Sequence, residues 1–127
     1  MEIRGRLVQG LGEASEFTQL SWVITQCHEK LGFKPYPGTV NLEVIPEDLQ
    51  CWEEIKRQPG ITLSSPNPAF CDAACHAVSI DGQQLKAAAI VPHVAGYPPD
   101  KLELLASGPV VETLGLTPGQ ELTVRLS

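Results

Sequence analysis

Basic residues are scarce in this chain: nine Lys and Arg stand against 15 Asp and Glu in 127 residues, a formal charge of -6. They are also scattered, with Arg4/Arg6 and Lys56/Arg57 the closest groupings. Nucleic-acid backbones and anionic membranes are recognised through clustered Lys and Arg, so neither is expected as a partner. Nothing in the sequence points to a protein partner. Long apolar runs are lacking too, and none approaches the roughly 18–20 residues of a membrane span. The stretch Met1 to Arg6 has none of the apolar character of a secretion signal. The expectation is a cytoplasmic protein whose four cysteines, Cys27, Cys51, Cys71 and Cys75, are reduced thiols. Internal repeats, low-complexity tracts and linkers are absent, so residues 1–127 read as a single domain. Regular alternation of strand and helix is missing as well, which argues against a doubly wound sheet.

What is present is an ordinary core composition, 43% apolar and 19% charged, with eleven Pro and eleven Gly to make turns. Residues 2–9 read as a strand with Ile3 and Leu7 on one face and Arg4 and Arg6 on the other. After the Gly10-Leu11-Gly12-Glu13 turn, Phe17, Leu20, Val23, Ile24, Cys27 and Leu31 recur at helical spacing. Ser15 is placed to cap that helix and Gly32 to stop it. Pro35-Tyr36-Pro37-Gly38 cannot continue a helix. Strands are expected over Thr39 to Ile45, Phe70 to Ile80, Leu85 to Val91, Leu102 to Ala106 and Glu121 to Leu126. Asp81-Gly82 would turn a hairpin, Pro46 would open a short helix or turn to Ile55, and Val110 to Leu114 would form another short helix. Pro118-Gly119 suits a type II turn. Half a dozen short strands with one substantial helix and short helical insertions predict a mainly β protein, a closed barrel.

Four places could carry chemistry. The glycine turn, Gly10 to Ser15, lies between a strand and a helix, where free amides can hold a phosphate; such a turn is also common as a turn and nothing more. Thr39 and Asn41 are two apart on a strand, so their oxygens share a face. Such oxygens help hold Mg²⁺ when phosphates and water complete its shell, although a solvent-facing strand side gives the same pattern. Glu103 interrupts an apolar strand, as a general base would, or as one residue on the wet side of that strand. Finally, Cys27-His28, Cys71-x-x-x-Cys75-His76 and His93 could ligate zinc. Their spacing matches no compact two-knuckle pattern, and buried free Cys usually fills space.

The segment Leu31-Gly32-Phe33-Lys34-Pro35-Tyr36-Pro37-Gly38-Thr39-Val40-Asn41, together with Gly10-Leu11-Gly12-Glu13, resembles the archaeal-type CTP-dependent riboflavin kinases. It follows that family's LGF-x-PYPGT-x-N signature nearly letter for letter. Weaker likeness continues through Phe70 to Pro92, Leu102 to Ala106 and Leu116 to Glu121. The resemblance implies a six-stranded cradle-loop β-barrel and transfer of the γ-phosphoryl of CTP to the 5′-hydroxyl of riboflavin, giving FMN and CDP. By position it implies that Gly10, Leu11, Gly12, Glu13, Ala14 and Ser15 hold the nucleotide phosphates. Thr39 and Asn41 would then ligate Mg²⁺, Glu103 would meet the ribityl end of the flavin and act on its hydroxyl, and Ala95 would line the flavin site. Pro109, Val110, Val111 and Glu112 would lie against the cytidine.

The chain also departs from that family. Gly12-Glu13-Ala14-Ser15 stands where the family usually has Gly-Glu-Gly-Arg, Ala95 where it has Thr, and Pro109-Val110-Val111-Glu112 where it has Lys-Leu-Arg-Glu. These replacements motivate a second reading, a non-catalytic nucleotide- or flavin-binding module on the same barrel.

Overall fold

Alternation dictates the opening strand: Ile3, Gly5 and Leu7 are buried while their neighbours are exposed, which gives β1 (Glu2–Val8). The computed structural model describes residues 1–9, 14–69, 71–80 and 85–126. It continues with β2 (Val40–Val44), β3 (Ile61–Leu63), β4 (Ala73–Ile80), β5 (Ala87–Pro92), β6 (Lys101–Ala106) and β7 (Glu121–Leu126). The Asp81-Gly82 turn lies outside the described residues. Every pairing is antiparallel, and the order β4-β5-β6-β2-β1-β7 returns to β4, closing a six-stranded barrel. The expected barrel is thus observed. The short strand β3 has no counterpart among the expected strands, because three residues between a Pro-Gly pair and a Ser-Ser pair carry too little periodicity. It pairs with the first half of β4 (Leu63 opposite Ala73), and β7 pairs with the second half (Ile80 opposite Val124).

Two apolar layers share the β4–β5–β6 wall. Ala87, Ala89, Leu102 and Leu104 face the barrel interior with Ile3 and Leu42, whereas Ala88, Ile90 and Leu105 face outwards. The outward set packs under Val23, Cys27 and Phe33. A strand buried on both faces reads as an unbroken apolar run, which is why residues 87–91 do not alternate. One barrel end is filled by Trp52 and Ile55 from α3 (Leu49–Arg57), which follows a 3₁₀ turn at Pro46–Asp48. Pro46 stands at the head of that turn, as expected, and Val110 from the helix over Val110–Leu114 joins the same core.

The one long helix expected over 15–31 is divided. It forms α1 (Ala14–Gln19) and α2 (Ser21–Gln26), followed by a wider π-type turn over Cys27–Leu31. Leu20 is extended (φ -65°, ψ 136°) and breaks the run. The division separates two jobs. Thr18 of α1 accepts a hydrogen bond from the Gly38 amide (2.8 Å), while Val23 and Cys27 beyond the break pack on the sheet. Ser15 lies inside α1, not at its cap, and its carbonyl accepts hydrogen bonds from Thr18 Oγ1 and Gln19 Nε2. Gly32 stops the final turn at φ 81°, a left-handed conformation that favours glycine. We number the last helix, Val110–Leu114, α4; it falls where the sequence placed it. The Gln120 amide closes the expected turn onto the Thr117 carbonyl at 3.0 Å, with Gly119 at φ 87°. No helix among the described residues is long and apolar enough to cross a membrane.

Side chains from α2 and the turn after it cover the open side of β3. Lys30 Nζ donates to the Thr62 carbonyl (2.7 Å), and Gln26 brackets Ser64 by accepting from its amide and donating to its carbonyl, both at 2.8 Å.

His76 is buried on β4, and its Nε2 lacks a hydrogen-bond partner among the described residues. Burial holds its imidazole below the ordinary 6.5. The unfolded chain therefore takes up a proton near 6.5, and the folded chain only at lower pH. The neutral ring's contribution to stability is complete above that value and is lost as pH falls below it. Thermal unfolding from about pH 7.5 down to about pH 5.5 is expected to show a falling Tm, with a shallower fall in His76→Leu. An equal slope in that variant removes His76 as the source.

Candidate functional site

The site is assembled on the outer wall of the barrel. Asn41 in β2 sits directly opposite Glu103 in β6. Leu42, Leu102 and Leu104 beside them point into the core, so Asn41, Glu103 and Lys101 share the outer face. Thr39 immediately precedes β2 and reaches the same face. Its approach is fixed by two backbone anchors: the Tyr36 amide donates to the Ala106 carbonyl (2.7 Å), and the Gly38 amide donates to Thr18 Oγ1. Gly38 adopts φ 95°, so the Pro-Gly-Thr run requires glycine there.

The Glu103 carboxylate is the centre of the cluster, with its side chain 13% exposed. Thr39 Oγ1 donates to Oε2 at 3.1 Å. On the other oxygen, Tyr97 OH donates to Oε1 at 2.7 Å and Lys101 Nζ lies 3.2 Å away. The Lys101 ammonium also stands 5.3 Å from the centroid of the Tyr97 ring. Asn41 Nδ2 donates to the Thr39 carbonyl (3.3 Å) and comes within 3.5 Å of Thr39 Oγ1. Burial, and next the bond to Glu103, push the Tyr97 phenol well above its usual range, so it remains a proton donor at any physiological pH.

Beside this cluster lies a cleft of about 180 Å³, lined on one side by Tyr36 to Val40 and on the other by Ala106 and Gly108 to Glu112. That is less than the ~300–1,000 Å³ of a typical ligand pocket, and suits one ring system or part of a nucleotide. Val110 and Val111 turn their side chains towards the barrel core, while Glu112 is exposed.

The structure therefore brings Thr39, Asn41 and Glu103 together, and Pro109 to Glu112 share the lining of the cleft with Thr39. Gly10, Leu11, Gly12 and Glu13 lie outside the described residues. On either side of them, Val8 pairs with Asn41, and Ala14 and Ser15 open the helix whose Thr18 holds Gly38. Ala95 is exposed in the connection between β5 and β6, two residues before Tyr97. Sequence reasoning missed Tyr97 and Lys101. A signal for the second was available, since Lys101 and Glu103 are two apart on one strand and must share a face. Tyr97 arrives from a loop, and no periodicity could place it. Cys75 and His76 point to opposite faces of β4, and no group of three or more His, Cys, Asp or Glu gathers into a metal cluster among the described residues. Burial raises the Cys27 thiol to about 11 and the Cys75 thiol to about 12, so both are inert fillers of the outer apolar layer.

The fold and site together define a closed antiparallel barrel with an oxygen-rich, carboxylate-centred cluster on its outer wall. Residues 7–126 match the family model CTP-dep_RFKase, "Domain of unknown function DUF120". The chain belongs to this CTP-dependent riboflavin kinase family. It is similar to a riboflavin kinase of Methanocella arvoryzae, 36% identical over 98% of this chain and 56% of that protein. It is also similar to riboflavin kinases of Methanosarcina acetivorans (27% identical, 99% of this chain and 54% of the relative) and Halobacterium salinarum (29%, 99% and 57%). The chain thus spans about half the length of these curated relatives.

Proposed function

We propose that this chain transfers the γ-phosphoryl group of CTP to the 5′-hydroxyl of riboflavin, giving FMN and CDP, with Mg²⁺ bound. The observation that carries the reading is the Thr39–Glu103–Asn41 cluster, joined to the cleft through Thr39, in a chain of this family. Phosphoryl transfer needs positioning and charge neutralisation more than covalent chemistry, and a rigid barrel wall supplies the positioning. Glu103 orients the acceptor hydroxyl and takes its proton as the new O–P bond forms and the bond to the departing CDP breaks. The segment Gly10 to Ser15 holds the nucleotide phosphates, Pro109 to Glu112 flank the cytidine, and Ala95 borders the flavin.

The donor chemistry fits a magnesium ion. Thr39 and Asn41 offer neutral oxygens next to one carboxylate, and Mg²⁺ is usually held by few protein oxygens together with water and substrate phosphates. Held by these two residues, the ion would supply neutralisation of the charge that develops on the phosphates.

One observation favours the second reading, a binding module without turnover. Val111 stands where the family has Arg and packs against the barrel core, so its side chain cannot replace that cation. The deciding experiment incubates purified protein with riboflavin, Mg²⁺ and either CTP or ATP, and measures FMN. Steady CTP-dependent FMN formation supports the kinase. Saturable binding of nucleotide or riboflavin without FMN supports the module.

A further inference from the structure

We propose that Tyr97 and Lys101 form a clamp on one oxygen of Glu103, making them positioning residues for phosphoryl transfer; this rests on the kinase reading above. The two oxygens of Glu103 have different surroundings. Oε1 takes the Tyr97 hydroxyl at 2.7 Å and the Lys101 ammonium at 3.2 Å, whereas Oε2 has only Thr39 Oγ1, at 3.1 Å, among the described residues. A carboxylate on a strand is free to rotate about its side-chain torsions, and an acceptor that must meet one hydroxyl in line with a phosphoryl group gains from losing that freedom. Two donors on Oε1 fix the plane of the group and leave Oε2, on the side of Thr39 and Asn41, to meet the acceptor hydroxyl.

The clamp is itself braced. Lys101 stands over the Tyr97 ring at 5.3 Å, so each donor helps hold the other. Its backbone is tied from below, because Trp52 Nε1 donates to the Lys101 carbonyl at 3.3 Å. The Tyr97 hydroxyl is the shorter of the two contacts and stays protonated, so it carries most of the orienting effect. Lys101, with its side chain 40% exposed, adds charge and can be replaced by another cation. Neither residue is asked to touch substrate.

The test compares the wild-type chain with Tyr97→Phe, Lys101→Gln and Lys101→Arg, all first shown to be folded by circular dichroism. Tyr97→Phe keeps the ring and its contact with Lys101 and deletes only the hydroxyl. A misplaced carboxylate should lower kcat about 10- to 100-fold, with KM for riboflavin and CTP within about twofold of wild type. Lys101→Gln should lower kcat by less, and Lys101→Arg should restore most of it. A second readout needs no turnover. In a Tyr36→Phe background, the Raman Fermi-doublet ratio of the remaining tyrosine Tyr97 should report a strong donor, and Glu103→Gln should move it towards a neutral bond. A folded Tyr97→Phe variant with wild-type kcat, or a doublet ratio indifferent to Glu103→Gln, overturns the clamp and leaves the kinase standing. A wild-type chain that forms no FMN with either nucleotide overturns the kinase reading and the clamp's role together.

Discussion

Thr39→Ala and Asn41→Ala are each expected to lower FMN formation by about 10²–10³-fold, the range seen when one preorganised charge partner is removed from a transition state. Glu103→Gln should fall in the same range, since it keeps the shape of the side chain while removing the proton acceptor. The folded state should survive all three changes. The Thr39 hydroxyl bonds to Glu103, and Asn41 turns back onto the Thr39 carbonyl, so each substitution removes local bonds on the barrel's outer wall worth about 1 kcal/mol. The core beneath, Leu42 and Leu104, is untouched. The measurement is FMN production at saturating riboflavin and CTP, with thermal unfolding of the same samples. Turnover at the wild-type rate in any of the three removes that residue from its proposed role.

Trp52→Ala is expected to produce the largest loss of stability, about 3–5 kcal/mol. Trp52 is 1% exposed and fills one end of the barrel beside Ile55. Its indole N–H reaches the Lys101 carbonyl at 3.3 Å, and the Lys56 ammonium covers its ring at 5.5 Å. Truncation leaves a cavity and removes both the indole's hydrogen bond to the start of β6 and its contact with Lys56, which keeps Glu53 and the Pro99 carbonyl as partners. Set against a typical total of about 5–15 kcal/mol, this loss should lower Tm by ~10 °C or more. Trp52→Phe separates the two contributions, since it keeps most of the packing and loses the hydrogen bond, and should cost far less. A melting curve for Trp52→Ala that overlays wild type would mean the barrel end is filled by something other than this ring.

The barrel was legible in the sequence wherever burial is one-sided. Ile3 and Leu7 against Arg4 and Arg6 mark β1 outright, and Val110 to Leu114 was bounded correctly because Pro109 and Gly115 flank it. The helical region was less legible. Its apolar stripe from Phe17 to Leu31 is continuous in spacing, yet the backbone breaks at Leu20, because α1 is tied to Gly38 and α2 to the sheet. A stripe records which face is buried and not whether one axis carries it. In the site, Thr39, Asn41 and Glu103 were reachable from strand parity together with a family signature, and the pairing of Asn41 with Glu103 joins them. Tyr97 was not reachable, since the hydroxyl that bonds Glu103 comes from a loop whose path depends on tertiary contacts. The wider connection that brings Pro109 to Glu112 across from Thr39 is likewise a consequence of barrel closure and of no local pattern.

Closure of the barrel also bears on how the chain behaves in crowded solution. A sheet that returns on itself offers no open row of amides and carbonyls to a neighbouring molecule; β3, hung outside the closed ring, is the strand among the described residues that could. Its exposed flank holds Ile61 and Thr62, a β-prone pair that would invite edge-to-edge stacking. Lys30 on the Thr62 carbonyl and Gln26 on both polar groups of Ser64 occupy the positions an incoming strand would need. The side chains that end the helical layer thus leave that edge fewer free backbone groups for strand addition, a consequence separate from the site on β2 and β6.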